Sequence, residues 1–317
     1  MKMTPPLIVY GGALIFAAVF FVVVVLPWNT MTDKPSEIFR SRTALEEKGR
    51  KLYVNNGCSY CHSQFIRRID WDLGAERIAQ PGDYIVERPH LLGTERTGPD
   101  LSQEGGEHPD DWHVAHFINP RYVRPESLMP EWAFLGMDNI RALIAYKQSL
   151  GYKDADYRVQ RQHEWKQKAI EAYESGTDAN VAWLHEQVPE PWRKLPNPYP
   201  TSEAGLKRGH KIYQGFCIGC HGPVGDGMGP AAPHLYPPPL NFTTVNGRGI
   251  SGGILYYQIM NGITGTAMPY FKRELESEKI WDVGNYVAVY FISETDANQE
   301  PRGIDAAYEP PEKAEKK

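Results

Sequence analysis

All four cysteines of this 317-residue chain fall in two short segments, Cys58-Ser-Tyr-Cys61-His62 and Cys217-Ile-Gly-Cys220-His221. In each, two residues separate the thiols and a histidine follows the second. That spacing sets both thiols on one helical turn, within reach of the two vinyl groups of a haem. It also carries the histidine under the iron as proximal ligand. A zinc site or a redox disulfide is the competing use of a Cys-x-x-Cys pair. Four thiols in one zinc site would leave two histidines at the same offset unexplained. The pattern therefore implies two covalently bound haem c groups, one on Cys58, Cys61 and His62, the other on Cys217, Cys220 and His221.

Leu7 to Leu26 is a nearly unbroken apolar run without charge. Twenty residues at ~1.5 Å each span about 30 Å, the thickness of a bilayer core. The h-region of a cleaved signal peptide is shorter, roughly 7–15 residues, and ends in small residues. This run ends Leu-Pro-Trp, with Trp28 suited to the interfacial belt. Residues 1–30 are thus expected to be an uncleaved anchor in membrane lipid. Lys2 favours an N-terminus inside the cell, and haem c attachment takes place on the outer side of the membrane. The expectation is a single pass through the inner membrane with both haem segments in the periplasm.

A net charge of −5 and a pI near 6.1 give no footing for nucleic acid. Beyond the anchor the chain divides into a polar tether (31–42), a first haem domain (43–153), a linker (154–200), a second haem domain (201–294) and a mobile tail rich in Pro, Glu and Lys (295–317). Within the linker, Asp156 to Ser175 reads as a polar helix. Pro189 to Pro200 reads as an extended, stiff connector that holds the domains apart.

The two domains form a degenerate repeat. Gly49-Arg-Lys-Leu-Tyr53 precedes the first haem segment and Gly209-His-Lys-Ile-Tyr213 the second. A glycine and an aromatic four apart share one helix face, where the glycine admits a crossing helix. Amphipathic stretches Ile140–Leu150 and Ile280–Tyr290 supply that partner. The fold class is mainly α: a transmembrane helix followed by two domains that resemble class I cytochrome c.

A His/Met-ligated haem c has a raised reduction potential. Met129 in Ser-Leu-Met-Pro130 and Met268 in Thr-Ala-Met-Pro269 occupy the same place in the repeat, each before the closing helix. They are the expected distal ligands, and proline after each stiffens the loop. His108, His113 and His116 are the alternatives in domain one, Met137 a further one there, and Met228 and Met260 the rivals in domain two. A proximal histidine needs a carbonyl to orient its other ring nitrogen. Pro99 and Pro230, each after a glycine downstream of its haem segment, are the expected acceptors. Arg96 is the leading candidate donor to a haem propionate, with Arg67, Trp112, Arg248 and Tyr256 behind it.

The stretches Gly57-Cys-Ser-Tyr-Cys-His-Ser-Gln64, Arg96-Thr-Gly-Pro-Asp-Leu101, Asp110-Asp-Trp-His-Val-Ala-His116, Ile118-Asn-Pro-Arg121 and Pro125-Glu-Ser-Leu-Met-Pro130 closely resemble the membrane-anchored mono-haem cytochrome c subunit of cbb-type (C-family) haem–copper oxidases. The resemblance covers the first ~150 residues. It implies Met129 as distal ligand, and an anchor packed on a multi-span catalytic subunit that holds haem b and copper. That subunit type ordinarily stops after one haem; Lys207–Ile292 looks like a generic soluble cytochrome c fused behind it. The expected function is electron transfer from a periplasmic donor, soluble or another cytochrome c subunit, through two haems to the catalytic subunit. The chain is not catalytic alone. The alternatives are a free-standing anchored shuttle, a subunit of a nitric oxide reductase-like complex, and a di-haem peroxidase, against which two Met-Pro ligand candidates argue.

Overall fold

The computed structural model describes residues 4–30, 34–73 and 77–292, and all regular structure among them is helical. The expected tail at 295–317 and residues 31–33 of the tether lie outside the described residues. The chain forms two compact units. One holds the described residues up to Phe39 together with Ala79–His90; the other holds the rest.

The smaller unit contains α1 (Pro5–Thr30), 26 residues long and apolar enough to cross a membrane. At ~1.5 Å per residue its length is about 39 Å. The helix widens into a π-helical stretch at Phe21–Val25. Pro27 accounts for this: it has no N–H for the Val23 carbonyl, and its ring crowds that oxygen. In the same unit Ser36 donates from N to Gly82 O (3.2 Å) and from Oγ to Asp83 Oδ1 (2.5 Å).

The larger unit carries both haem segments, in two lobes. The first contains α2 (Ala44–Asn55), α3 (Asp110–Ile118) and α4 (Met137–Gln148). A reciprocal cap starts α2, with Glu46 N–H on Thr43 Oγ1 and Thr43 N–H on Glu46 Oε2. Helices α2 and α4 cross at Gly49, where a Cβ would stand 1.9 Å from Ala142 O. Tyr53 and Tyr146 meet beside the crossing, rings 5.3 Å apart. Next come α5 (Tyr152–Glu174) and α6 (Thr177–Glu186), then the second lobe with α7 (Glu203–Phe216), α8 (Gly252–Asn261) and α9 (Ser277–Val287). Here α7 crosses α9 at Gly209, whose Cβ would lie 2.3 Å from Asp282 O, and Tyr213 meets Tyr286 at 5.5 Å. The repeat seen in the sequence is thus a repeat of helix crossings.

One arrangement differs from expectation. The lobes are not held apart by an extended connector; they pack directly on each other. Helix α5 lies along both. Arg158 donates to Gly105 O and Gln103 O of the first lobe, and Lys166 pairs with Asp111 there. Gln162 Oε1 accepts Gly265 N–H of the second lobe, and Tyr236 OH donates to Glu174. The Pro-rich stretch beyond α6 folds onto the second lobe: Gly253 comes so close to Trp192 O that a Cβ there would be 2.1 Å away. A polar helix reads as solvated in sequence because it meets its neighbours through polar side chains, paired with backbone groups and with other polar side chains, which leave no apolar stripe.

Candidate functional site

In the second lobe α7 runs into the haem segment. Tyr213 O accepts Cys217 N–H, and the short helix Ile218–His221 carries Cys220 and His221. Opposite, the loop after α8 presents Met268, whose N–H is held by Thr266 Oγ1 (3.1 Å) and whose carbonyl accepts Ile263 N–H. Cys217, Cys220, His221 and Met268 all line one cleft, walled by apolar side chains including Phe216, Leu240, Leu255 and Val283. A deep apolar slot with two thiols, an imidazole and a thioether fits a flat macrocyclic cofactor with a central metal.

Burial pushes both thiols of this lobe up to about 12 and the Cys58 thiol up to about 11. It pushes His221 down to about 4 and lowers His62. Neutral imidazoles keep a lone pair for a metal without competition from protons.

In the first lobe Cys58 is half-buried, Cys61 is exposed, and Cys58 and Met129 border one apolar core with Tyr53, Leu101 and Phe117. His62 Nδ1 donates to Pro99 O at 2.9 Å, a tautomer that leaves the lone pair on Nε2. Gly98 is required there, since a Cβ would sit 2.2 Å from His62 Cε1. Ser127 Oγ accepts Met129 N–H at 3.2 Å, the counterpart of Thr266. These hydroxyls two residues before each methionine set the loops, and the shared Ser/Thr-x-Met-Pro spelling was the available signal.

Two expected residues are placed differently. His221 Nδ1 has Leu240 O at 3.4 Å, not the Pro230 carbonyl. The loop turns remain alike, with Gly98 N–H on Cys61 O and Gly229 N–H on Cys220 O. The Pro237-Pro238-Pro239 run brings Leu240 and Phe242 to the ring, Phe242 stacking on His221 at 4.5 Å. Arg96 gives Nε to Ser63 Oγ and Nη2 to Phe65 O and Asp70. It braces the loop after the haem segment instead of offering these donors to a propionate. Among the weaker candidates, Arg67 pairs with Asp70, Arg248 with Asp178, and Tyr256 OH with Ser277. Trp112 lines the second lobe's cleft although it belongs to the first lobe.

The three histidines weighed as alternatives to Met129 are not equivalent. His113 is fully buried. His108 stacks on Trp112. His116 alone touches the candidate ligand, its Nε2 3.1 Å from Met129 Sδ.

Residues 4–187 match the family model described as cytochrome c oxidase, mono-haem subunit/FixO. The chain belongs to this family. Residues 204–287 match a second model, cytochrome c oxidase, cbb3-type, subunit III. The FixO match covers α1, the first lobe, α5 and α6; the subunit III match covers the part of the second lobe that carries Cys217, Cys220, His221 and Met268. A FixO-family subunit carries covalently bound haem c, transfers electrons within a cbb3-type oxidase and associates with its catalytic haem–copper subunit, with α1 as candidate anchor. No curated protein matches the chain. Among solved structures, a chain of the Kuenenia stuttgartiensis reducing HAO-like protein complex aligns at 22% identity over 80% of this chain and 98% of its own, with a TM-score of 0.27.

Proposed function

We propose that this subunit binds two haems c and relays electrons from a periplasmic donor through the second-lobe haem, then the first-lobe haem, to the catalytic subunit. The observation that carries the reading is the single cleft lined by Cys217, Cys220, His221 and Met268, in a lobe that an ordinary mono-haem subunit lacks. Bound haem c supplies a one-electron couple at its iron. The four cysteines would tether the two groups, His62 and His221 would supply nitrogen ligands, and Met129 and Met268 would supply thioether ligands. Pro99 and Leu240 hold the proximal rings by their carbonyls. The apolar walls exclude water and favour the reduced state.

The anchor leaves both lobes on the periplasmic side, where haem c is attached. Direct packing of the lobes supports a fixed relay over a free-standing tethered shuttle. Pyridine haemochrome titration against protein mass tests the reading. Two haems per chain are expected; one haem, or haem extracted by acidic acetone, overturns it.

A further inference from the structure

An electron passing between two redox sites tunnels, and its rate falls exponentially with the width of the gap. Bonded or closely stacked atoms carry it better than empty space. At the lobe boundary, one side chain reaches both sites. Trp112, on α3 of the first lobe, is part of the wall of the cleft that holds Cys217, Cys220, His221 and Met268. With Cys220 it packs against one buried apolar cluster, formed by Ala115, Val123, Ala231, Leu235 and Ala267. On its other side it stacks on His116, ring centroids 4.8 Å apart and planes within 12°. His116 Nε2 in turn lies 3.1 Å from Met129 Sδ. The run from second cleft to indole, imidazole and thioether is continuous.

We propose that Trp112 and His116 are the electron bridge between the two haem sites. This rests on the di-haem reading above and names the path it uses. Trp112 lends its π system to the transfer of a single electron: the second lobe is oxidised by one, the first is reduced by one, and no bond or proton moves. The ring is held for this. Helix α3 fixes its backbone, His108 stacks on it at 3.8 Å, and the Asp111 carboxylate beside it pins Tyr236 N–H of the second lobe. A main-chain route also crosses the boundary, because Tyr122 O approaches Gly219 so closely that a Cβ there would be 2.1 Å away.

The test uses the full chain in detergent. A redox titration first counts the couples; a single one-electron couple in the unmodified protein sinks the di-haem reading itself. Pulse radiolysis then injects one electron, and its redistribution between the two haems is followed by absorbance. In Trp112→Leu the redistribution rate is expected to fall by roughly ten-fold or more beyond what any change in driving force, read from the two midpoints, accounts for, which reads as lost coupling. Trp112→Phe, which keeps a stacked ring, recovers most of the rate. An unchanged rate in Trp112→Leu overturns the proposal in favour of the Tyr122–Gly219 route. A loss equal in the Leu and Phe variants, or one that the shift in midpoints accounts for in full, overturns it as a packing effect.

Discussion

Met129 Sδ lies 3.1 Å from His116 Nε2. Burial pushes His116 down to about 3, so the ring is neutral at physiological pH. Its Nδ1 is buried without a hydrogen-bond partner, which suits a bare acceptor better than a donor and leaves the proton on Nε2. In the proposed ligation, an N–H directed at the Met129 thioether would draw electron density from it and favour the reduced state. Replacing His116 with Leu is expected to lower the first haem's midpoint by roughly 20–60 mV, the equivalent of one net hydrogen bond. The second haem's midpoint should not move; a redox titration reads both. A second residue prediction concerns Asp70, whose carboxyl Arg67, then Arg96, hold well below the usual carboxylate range. The native state therefore resists protonation that the unfolded chain accepts near its ordinary value of about 3.9. The stabilisation is full above that value and is lost as pH falls below it. The thermal midpoint of the first lobe should drop on acidification, and Asp70→Asn should flatten that drop.

At the scale of elements, the two helix crossings depend on single glycines. Gly209→Ala would drive a Cβ to 2.3 Å from Asp282 O. Relief requires moving α7 or α9, and overpacking of this kind costs about 1–3 kcal/mol or more. Gly215, on the same helix, has nothing within 4 Å, and Gly215→Ala should stabilise by about 0.5–1 kcal/mol through helix propensity alone. Denaturant unfolding of the second lobe separates the two. These crossings were legible because a Gly and an aromatic four residues apart, repeated before each haem segment, encode a face. The Met-Pro loops were legible for the same reason: equal spelling at equal places. The Leu240 carbonyl was not, since a backbone oxygen has no side-chain signature and the triproline run reroutes the chain only in three dimensions. Nor was Arg96's attachment to Asp70, 26 residues away. Charge pairs that far apart leave no local pattern. Helix α6 was missed because it falls in the short stretch between the polar helix and the Pro-rich connector, which carried no reading of its own.

At the scale of the molecule, α5 and Asp111 join the lobes. Asp111 accepts Tyr236 N–H at 3.0 Å and pairs with Lys166. Asp111→Ala should loosen one lobe against the other. Hydrogen exchange at Tyr236 and along the Lys166 turn of α5 should accelerate, while exchange within the α2–α4 crossing stays as it was. The direction of the relay is testable at the same scale. Replacing His221 so that the second haem no longer cycles should cut oxidation of a soluble cytochrome donor steeply, while a small artificial reductant still feeds the first haem. An unchanged rate with the donor would mean that electrons reach the first lobe directly.

The second cleft is finished by residues that lie far upstream of it. Trp112 and Val123 come from the first lobe, Ala169 from α5, and Asn180, Trp183 and Leu184 from α6, all inside the stretch that matches the FixO model. A gene cut between the two family matches would therefore not release a working module. Residues 201–292 made alone would mature with one wall missing, their haem wetted from the side that α6 should cover and its potential lowered accordingly. Exchange of either half for a homologue would have to bring along the wall that Trp112, Val123, Ala169 and α6 supply.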